Sequence, residues 1–265
     1  MIKYIIACLL LFPAFIQAKE APAYDYTQSQ FVSDEVWEMV KPYLLPSNHP
    51  AKSVLDRIFG DARMTANAKS VQKAGFLKPF PRSYSHCTVS HHPALSGYLV
   101  KMFTDDQPKY DDYKAWIKRI KGAEAIKIAI DKYKYNQYFK VPKKWIYPLP
   151  SERAPKNGSG KNFILVVEDM KIYHKQKNYD RWRSSKMTTQ RADAIWILIQ
   201  ENGLTDSIRA FNIPFCHDDK QAFIDTEHHH EWPVHFDIMT RYLSPKIEKH
   251  WVKLMKSGGP AKPQN

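Results

Sequence analysis

The feature that most constrains the fold is one short apolar run, residues 163–167, with the sequence Phe-Ile-Leu-Val-Val. An apolar run without alternating polar residues is typical of a strand that is buried on both faces. A strand of this kind needs neighbouring strands on both sides and covering layers above and below. We therefore expect a sheet with this run as its central strand, followed directly by the acidic segment Glu168-Asp169-Met170.

A second sheet element is predicted around Lys101. Residues 84–89 and 98–103 are strand-like, and the turn between them contains Pro93 and Gly97. This arrangement predicts a β-hairpin. Lys101 lies within the apolar second strand, and two interpretations stay open. Its ammonium group points to solvent, or it points inward and needs an anionic partner, because an unpaired buried charge is very unfavourable.

Helical periodicity dominates much of the remaining chain. The longest pattern carries Glu124 one residue from its apolar stripe. A later helix is apolar on nearly every side, which indicates that it is buried on most of its circumference. The predicted helices lie between Ser33 and Pro46, over residues 51–59, over residues 111–138, between Thr188 and Gly203, and over residues 245–255.

The clearest candidate site lies in residues 212–227. Two apolar triplets, residues 213–215 and 222–224, flank a polar turn, and this pattern predicts a short β-hairpin. Asn212 and Asp225 stand at its two ends, so a carboxamide and a carboxylate could face one point in space. Oxygen donors of this kind are the ligands that Mg²⁺ prefers, usually completed by phosphate oxygens and water. A surface hairpin with polar ends is the other interpretation.

The amino terminus predicts export. Lys3 is followed by an apolar stretch over residues 5–16 and then by Ala18. This three-part pattern is typical of a secretory signal peptide that is cleaved after Ala18. We therefore expect a secreted or periplasmic protein without a transmembrane helix after removal of the signal. A retained N-terminal anchor is the alternative.

Charge and cysteine content bound the partners and the scaffold. The chain has a formal net charge of +13 at pH 7, which attracts nucleic acids, anionic membranes and phosphorylated ligands. The basic residues are spread along the chain without a recognisable nucleic-acid-binding pattern, so we expect no specific nucleic-acid partner. Once the signal has left, Cys87 and Cys216 remain. They allow one disulfide bond but not a scaffold held by disulfides.

The order of these features resembles the protein-kinase-like superfamily. Over roughly residues 60–255 the chain has a strand with an internal lysine, a helix with a glutamate, an apolar strand leading into an acidic linker, a buried helix and an Asn/Asp hairpin. The resemblance implies an α+β fold with a β-rich N-lobe and a mainly helical C-lobe. The expected divisions are a signal peptide (1–18), a helical extension (19–60), the N-lobe (61–170), the C-lobe (171–255) and a flexible tail (256–265).

The resemblance also implies roles for individual residues. Lys101 would hold the nucleotide phosphates, and Glu124 would pair with Lys101. Glu168 and Met170 would follow the central strand and lie near the adenine edge of ATP. These four residues form the nucleotide-binding set that the family similarity predicts.

The metal and catalytic positions come later in the chain. Asn212 and Asp225 are thirteen residues apart, like the metal-binding Asn and Asp of that family, so Mg²⁺ is the implied cofactor. Asp206 is the implied catalytic base. It lies six residues before Asn212, whereas the family places the base five residues before, where this chain has Ser207. No Gly-x-Gly-x-x-Gly loop precedes Lys101, and Asp225 is followed by Thr-Glu instead of Phe-Gly.

Together these roles imply an exported kinase-like enzyme that binds ATP and Mg²⁺ between two lobes and transfers the γ-phosphate to a hydroxyl group. The acceptor would be a small molecule or a protein of a host or of the cell envelope. Two alternatives stay open: a catalytically inactive kinase-like binding or scaffold protein, and a secreted basic binding protein without a nucleotide site. A zinc hydrolase is disfavoured, because Pro233 would break the helix that a His-Glu-x-x-His site needs. A serine hydrolase is disfavoured because no Gly-x-Ser-x-Gly elbow occurs.

Overall fold

The computed structural model describes residues 25–77, 86–107 and 111–261. Within these residues the chain is an α+β protein with two small sheets. The predicted signal peptide lies outside the described residues, as do residues 84 and 85 of the first predicted hairpin strand. None of the helices in the described ranges combines the length and apolar character that crossing a bilayer requires.

The regular elements are numbered in chain order. The helices are α1 (Asp34–Val40), α2 (Lys52–Gly60), α3 (Ala68–Lys73), α4 (Asp112–Lys132), α5 (Lys175–Arg183), α6 (Thr189–Asn202) and α7 (Pro245–Ser257). The strands are β1 (Thr88–Ser90), β2 (Tyr98–Met102), β3 (Phe139–Lys140), β4 (Lys144–Pro148), β5 (Phe163–Glu168) and β6 (Gln221–Ala222). Short 3-10 helices cover Lys41–Tyr43, Met64–Ala66, Tyr135–Gln137, Ser151–Arg153 and Phe236–Tyr242.

The larger sheet is antiparallel with the strand order β1-β2-β5-β4. The predicted central strand is therefore confirmed, since β5 pairs with β2 on one side and with β4 on the other. Ile164 and Val166 pack in a hydrophobic cluster with residues of α2 and α3. Leu165 and Val167 pack in a second cluster with residues of α1 and α4. Both faces of β5 are covered, which explains why residues 163–167 are all apolar.

The hairpin around Lys101 is also confirmed. β1 and β2 pair with Val89 opposite Lys101. The turn between them ends at Gly97, whose φ of +83° lies in the left-handed region that glycine adopts without strain. The side chain of Lys101 points inward, because only 8% of the residue is exposed.

α4 ends earlier than its periodicity predicts. The apolar pattern predicts a helix over residues 111–138, but α4 ends at Lys132. Lys134 has a φ of +57°, and a 3-10 turn over Tyr135–Gln137 follows. A residue in the left-handed region does not continue a right-handed helix, so the predicted end was wrong by six residues.

The helical part of the chain has its own hydrophobic cluster, centred on α6. α6 is capped as the sequence predicts: the Thr188 side chain accepts a hydrogen bond from Arg191 N (3.2 Å), and Gly203 ends the helix with a φ of +54°. The cluster also takes Ile126 and Ile130 from the second half of α4. The first half of α4 packs against the sheet through Trp116. One continuous helix thus joins the sheet to the helical part.

Candidate functional site

The backbone of residues 212–224 forms the predicted hairpin. Ile224 N donates to Asn212 O (3.1 Å), Ala222 N donates to Pro214 O (3.0 Å), and Cys216 N donates to Lys220 O (2.8 Å). β6, in the returning arm, also pairs in parallel with β3. The pairing of the two hairpin arms places Asn212 beside Ile224. Asp225 is the next residue, so it lies at the open end of the hairpin.

Lys101 reaches this open end from the sheet. Its Nζ donates to Ile224 O at 3.4 Å, across 123 residues of sequence. Burial alone would raise the pKa of Asp225, but nearby positive charges, of which Lys101 and Arg119 have the largest effects, outweigh burial, and this pKa lies below its ordinary value. The predicted phosphate-binding lysine and the predicted metal-binding aspartate are therefore brought together.

Arg119, which the sequence reading missed, is a further cation beside Asp225. Arg119 lies on α4 and is only 7% exposed. Its Nη2 is 2.5 Å from Glu227 Oε2, and its Nε is 3.8 Å from Asp225 Oδ1. The second distance is too long for a hydrogen bond. Among the described residues, Nε and Nη1 of Arg119 and Oδ1 of Asp225 have no hydrogen-bond partner.

Lys144 is a third buried cation near this point. Its Nζ donates to Thr226 Oγ1 (2.5 Å) and to Arg119 O (3.3 Å). Burial, and then the charge of Lys101, lower the pKa of Lys144 well below its ordinary value. Lys144 ties β4 and α4 to the segment that follows the hairpin. We call Lys101, Arg119, Lys144, Asp225 and Glu227 the charged cluster.

Asp206 lies next to the hairpin but not within the charged cluster. Its backbone oxygen accepts a hydrogen bond from Asn212 Nδ2 (2.9 Å). Its carboxylate Oδ1 accepts from Arg209 Nη1 (2.6 Å), and its Oδ2 lies 3.6 Å from His228 Nε2. Ser207, the next residue, donates through Oγ to Asp225 O (3.3 Å). Asp206 therefore contacts Asn212, the next residue contacts Asp225, and the carboxylate of Asp206 is held by a guanidinium.

The histidine-rich stretch after the hairpin belongs to a polar network with α4. Glu231 accepts from Lys118 Nζ (2.8 Å) and from Thr205 Oγ1 (3.0 Å), and it lies 3.0 Å from His228 Nδ1. Burial raises the pKa of Glu231, but hydrogen bonds from Lys118, Thr205 and His228 reverse this effect and lower the pKa to about 2. Within the described ranges, no three or more His, Cys, Asp or Glu residues are placed to hold a metal ion.

Glu124 does not join Lys101. It is exposed on α4, while Arg119 on the same helix faces Asp225. Five residues along an α-helix correspond to a rotation of about 140° around its axis, so the two side chains leave the helix in different directions. The structure corrects the assignment of Glu124: α4 presents a guanidinium group to the site, not a carboxylate.

Glu168 and Met170 lie where the sequence places them, at and just after the end of β5, and both are half-buried. Glu168 Oε2 accepts a hydrogen bond from Lys143 N (2.9 Å). Asp169 N donates to Gly97 O (2.9 Å), which fixes the linker against the β1–β2 turn. The carboxylate of Glu168 is therefore used to hold the linker in place.

Cys87 and Cys216 are not joined by a disulfide bond. Burial raises the pKa of the Cys87 thiol above its ordinary value. Burial also raises the pKa of the Cys216 thiol, to about 11. Both are therefore thiols rather than thiolates at neutral pH, and neither is an activated nucleophile.

The chain was compared with protein-family models, with curated proteins and with solved structures, and none of the three comparisons found a match. The function proposed below therefore rests on the residues of this chain.

Proposed function

We propose that the chain is a two-lobed, kinase-like phosphotransferase that binds ATP and Mg²⁺ between its sheet and its helical part. In this proposal Lys101 binds the phosphates, Asn212 and Asp225 hold Mg²⁺, and Asp206 is the catalytic base. The acceptor is a hydroxyl group of a protein or of a small molecule. The observation that carries the proposal is the 3.4 Å contact of Lys101 Nζ with Ile224 O, which brings the lysine next to Asp225.

The donor set at the hairpin end suits Mg²⁺. The side-chain nitrogen Nδ2 of Asn212 donates a hydrogen bond to Asp206 O, and the side-chain oxygen Oδ1 of Asn212 is the atom that would bind a cation. Asp225 contributes a carboxylate whose Oδ1 has no hydrogen-bond partner within the described residues. Two protein oxygens are few for a closed metal site. They are typical for Mg²⁺ that takes its remaining ligands from phosphates and water.

In this proposal the site residues would orient the reacting groups or neutralise the charge of the phosphates. Phosphoryl transfer asks the protein mainly to orient the reactants and to neutralise the phosphate charge. Lys101, at 8% exposure, would do so from a site that excludes most water, where its charge acts strongly. Bound Mg²⁺ would supply further charge neutralisation. Asp206 would accept the proton of the acceptor hydroxyl at Oδ2, while Arg209 holds its Oδ1.

A second candidate is a kinase-like protein that binds nucleotide without transferring phosphate. The ion pair of Asp206 with Arg209 at 2.6 Å favours this candidate, because one carboxylate oxygen is already held by the guanidinium and is not free to orient an acceptor hydroxyl. The position five residues before Asn212 is occupied by Ser207, whose hydroxyl is bonded to Asp225 O. The two candidates share the nucleotide site and differ only in the transfer step.

Calorimetric titration with ATP and MgCl₂ tests the nucleotide site. We expect the wild-type chain to bind, and Lys101→Met and Asp225→Asn to bind roughly tenfold more weakly or worse, since each removes a charged contact worth about 1.5–3 kcal/mol. Lys121→Met, an exposed lysine on α4, is the matched control and should leave the affinity unchanged. Absence of binding by the wild type, or equal affinity in all four proteins, would contradict both candidates.

Transfer of radiolabelled γ-phosphate separates the two candidates. Incorporation of label into the chain itself or into an added protein, lost in Asp206→Ala, supports the phosphotransferase. ATP binding with no incorporation, even at high protein concentration, supports the binding protein.

A further inference from the structure

The contact between Arg119 and the two carboxylates beside it is incomplete. Arg119 is 93% buried, yet only its Nη2 is within ion-pair distance of Glu227, at 2.5 Å. Its Nε and Nη1 have no hydrogen-bond partner in the part of the chain that the structure describes, and the same holds for Asp225 Oδ1. Buried donors without acceptors are rare in folded proteins, and each lowers stability. Such unused donors on a buried cation indicate that a ligand completes them.

We propose that Arg119 is a second phosphate-binding residue of the proposed nucleotide site, and that Glu227 is an internal carboxylate which the phosphate of the ligand displaces. A guanidinium group binds phosphate best through two parallel N–H bonds. Glu227 uses Nη2 alone. A phosphate oxygen pair in its place would bond to Nη2 together with Nε or Nη1, and would satisfy donors that are unused in the free chain.

The charges of the neighbouring residues support a phosphate ligand. Lys101 Nζ donates a hydrogen bond to the backbone oxygen of Ile224, and among the described residues it forms no ion pair. The two cations, Lys101 and Arg119, come from different elements, β2 and α4, and both act on the carboxylate of Asp225. A polyphosphate can contact both of them at once, whereas Glu227 reaches only Arg119.

The exposure of Glu227 makes the exchange physically reasonable. Its side chain is 17% exposed, and the side chain of Arg119 is 9% exposed. The carboxylate can therefore return to water when it leaves Arg119, while the guanidinium stays in the interior and needs a replacement anion. This inference rests on the proposed function, because it names further residues and an internal competitor of the same phosphate site.

The test is calorimetric titration with inorganic pyrophosphate in the presence of EDTA, so that metal plays no part. Glu227→Gln removes the competing charge, and we expect it to bind pyrophosphate roughly tenfold more tightly than the wild type. The double variant Arg119→Gln/Glu227→Gln has the net charge of the wild type, and we expect it to lose this gain. Glu38→Gln, an exposed acid on α1, has the same net charge as Glu227→Gln and should bind like the wild type.

A gain of affinity cannot come from unfolding, and circular dichroism at the assay temperature shows that each variant is folded. If Glu227→Gln does not fold, Glu227→Asp, whose shorter side chain withdraws from Arg119, is expected to give a smaller gain. Equal pyrophosphate affinities in the single and double variants would overturn the inference, and so would an equal gain in Glu38→Gln.

The outcomes also separate this inference from the proposed function. One outcome is that binding of ATP and Mg²⁺ depends on Asp225, while pyrophosphate affinity does not change when Arg119 is replaced. This outcome would refute the inference and leave the proposed function standing. Pyrophosphate binding that depends on Arg119, without any binding of ATP and Mg²⁺, would refute the proposed function and leave the anion site standing.

Discussion

Asp112 is a buried acid at the first turn of α4, and the fold uses its carboxylate as a hydrogen-bond acceptor. Asn162 N and Phe163 N donate to its Oδ2 at 2.9 and 2.8 Å, and Tyr113 N donates to its Oδ1 at 2.8 Å. Burial raises the pKa of Asp112 to about 6, even though these three hydrogen bonds oppose the rise. The start of α4 and the start of β5 are thus joined by an acid that is protonated in mildly acidic solution.

Asp112→Asn should remove a pH dependence of stability. A folded-state pKa raised above the unfolded value contributes stability below pH 4, and this contribution is lost as the pH rises through about 6. The free energy of unfolding of the wild type, relative to the variant, should therefore fall by up to about 3 kcal/mol between pH 4 and pH 7. Urea unfolding across this range measures the difference. Asp111→Asn, an exposed neighbour, is the control, and parallel pH curves for wild type and Asp112→Asn would refute the prediction.

Single residues of the site were only partly predictable from the sequence. Lys101 is the only charged residue in an apolar strand, and the sequence allows its side chain to point inward or to solvent. The hydrogen bond to Ile224 O, 123 residues later in the chain, decides for the inward direction. Arg119 directly follows Lys118, and Lys144 directly follows Lys143. Nothing local tells which member of such a basic pair turns inward, because the decision depends on the segment that packs against it.

At the scale of elements, α4 and the hairpin segment are in direct backbone contact. A Cβ atom added to Gly122 would lie 2.0 Å from Thr226 O. Thr226 Oγ1 also donates to Arg119 O (2.5 Å), one turn earlier on α4. Only glycine allows the helix to approach Thr226 so closely.

Gly122→Ala should therefore destabilise the chain, although alanine is the better helix former by about 1 kcal/mol. The added methyl group overlaps a backbone oxygen, and overpacking of this kind costs roughly 1–3 kcal/mol. We expect a net loss in the free energy of unfolding, measured by thermal or urea unfolding. Lys121→Ala, on the exposed side of the same helix, should change stability by less than about 0.5 kcal/mol. A more stable Gly122→Ala variant would show that the close contact is absent in solution.

The elements that were predicted have a strong apolar pattern, either continuous or periodic, and those that were missed lack one. The buried run of β5 and the apolar helix α6 were both identified from sequence. α5 was not, because its nine residues are mostly charged and only Asn178 and Trp182 are buried. α3 was missed because it has six residues and buries only Val71. Short polar helices of this kind are held by tertiary contacts that a local pattern does not contain.

For the whole molecule, α4 links hydrophobic clusters that would otherwise be separate. Its Trp116 and Ile120 belong to the cluster on the sheet, and its Ile126 and Ile130 belong to the cluster around α6. The N-terminal extension, from residue 25 onward, is part of the same body, since Leu45 N donates to Ile146 O of β4 (2.9 Å). Export, which the first eighteen residues indicate, stays a prediction.

Because α4 joins these clusters, we expect urea to unfold the sheet and the helical part together in one cooperative transition. Tryptophan fluorescence and far-ultraviolet circular dichroism should give coincident curves. Ile130→Ala, at the end of α4 remote from the sheet, should lower the free energy of unfolding by about 2–5 kcal/mol and move both curves together. Two separated transitions, of which the variant shifts only one, would show that the sheet and the helical part unfold independently.

The contact at Gly122 restricts how the residues beside Asp225 can move. Thr226 has no free space on the side of the helix, so a bound molecule that pushes on this segment can displace it only away from α4. That displacement would break the hydrogen bonds from Lys144 Nζ to Thr226 Oγ1 and from Thr226 Oγ1 to Arg119 O. Movement of this segment toward the helix is blocked at Gly122, where the two backbones meet because the residue lacks a methyl group.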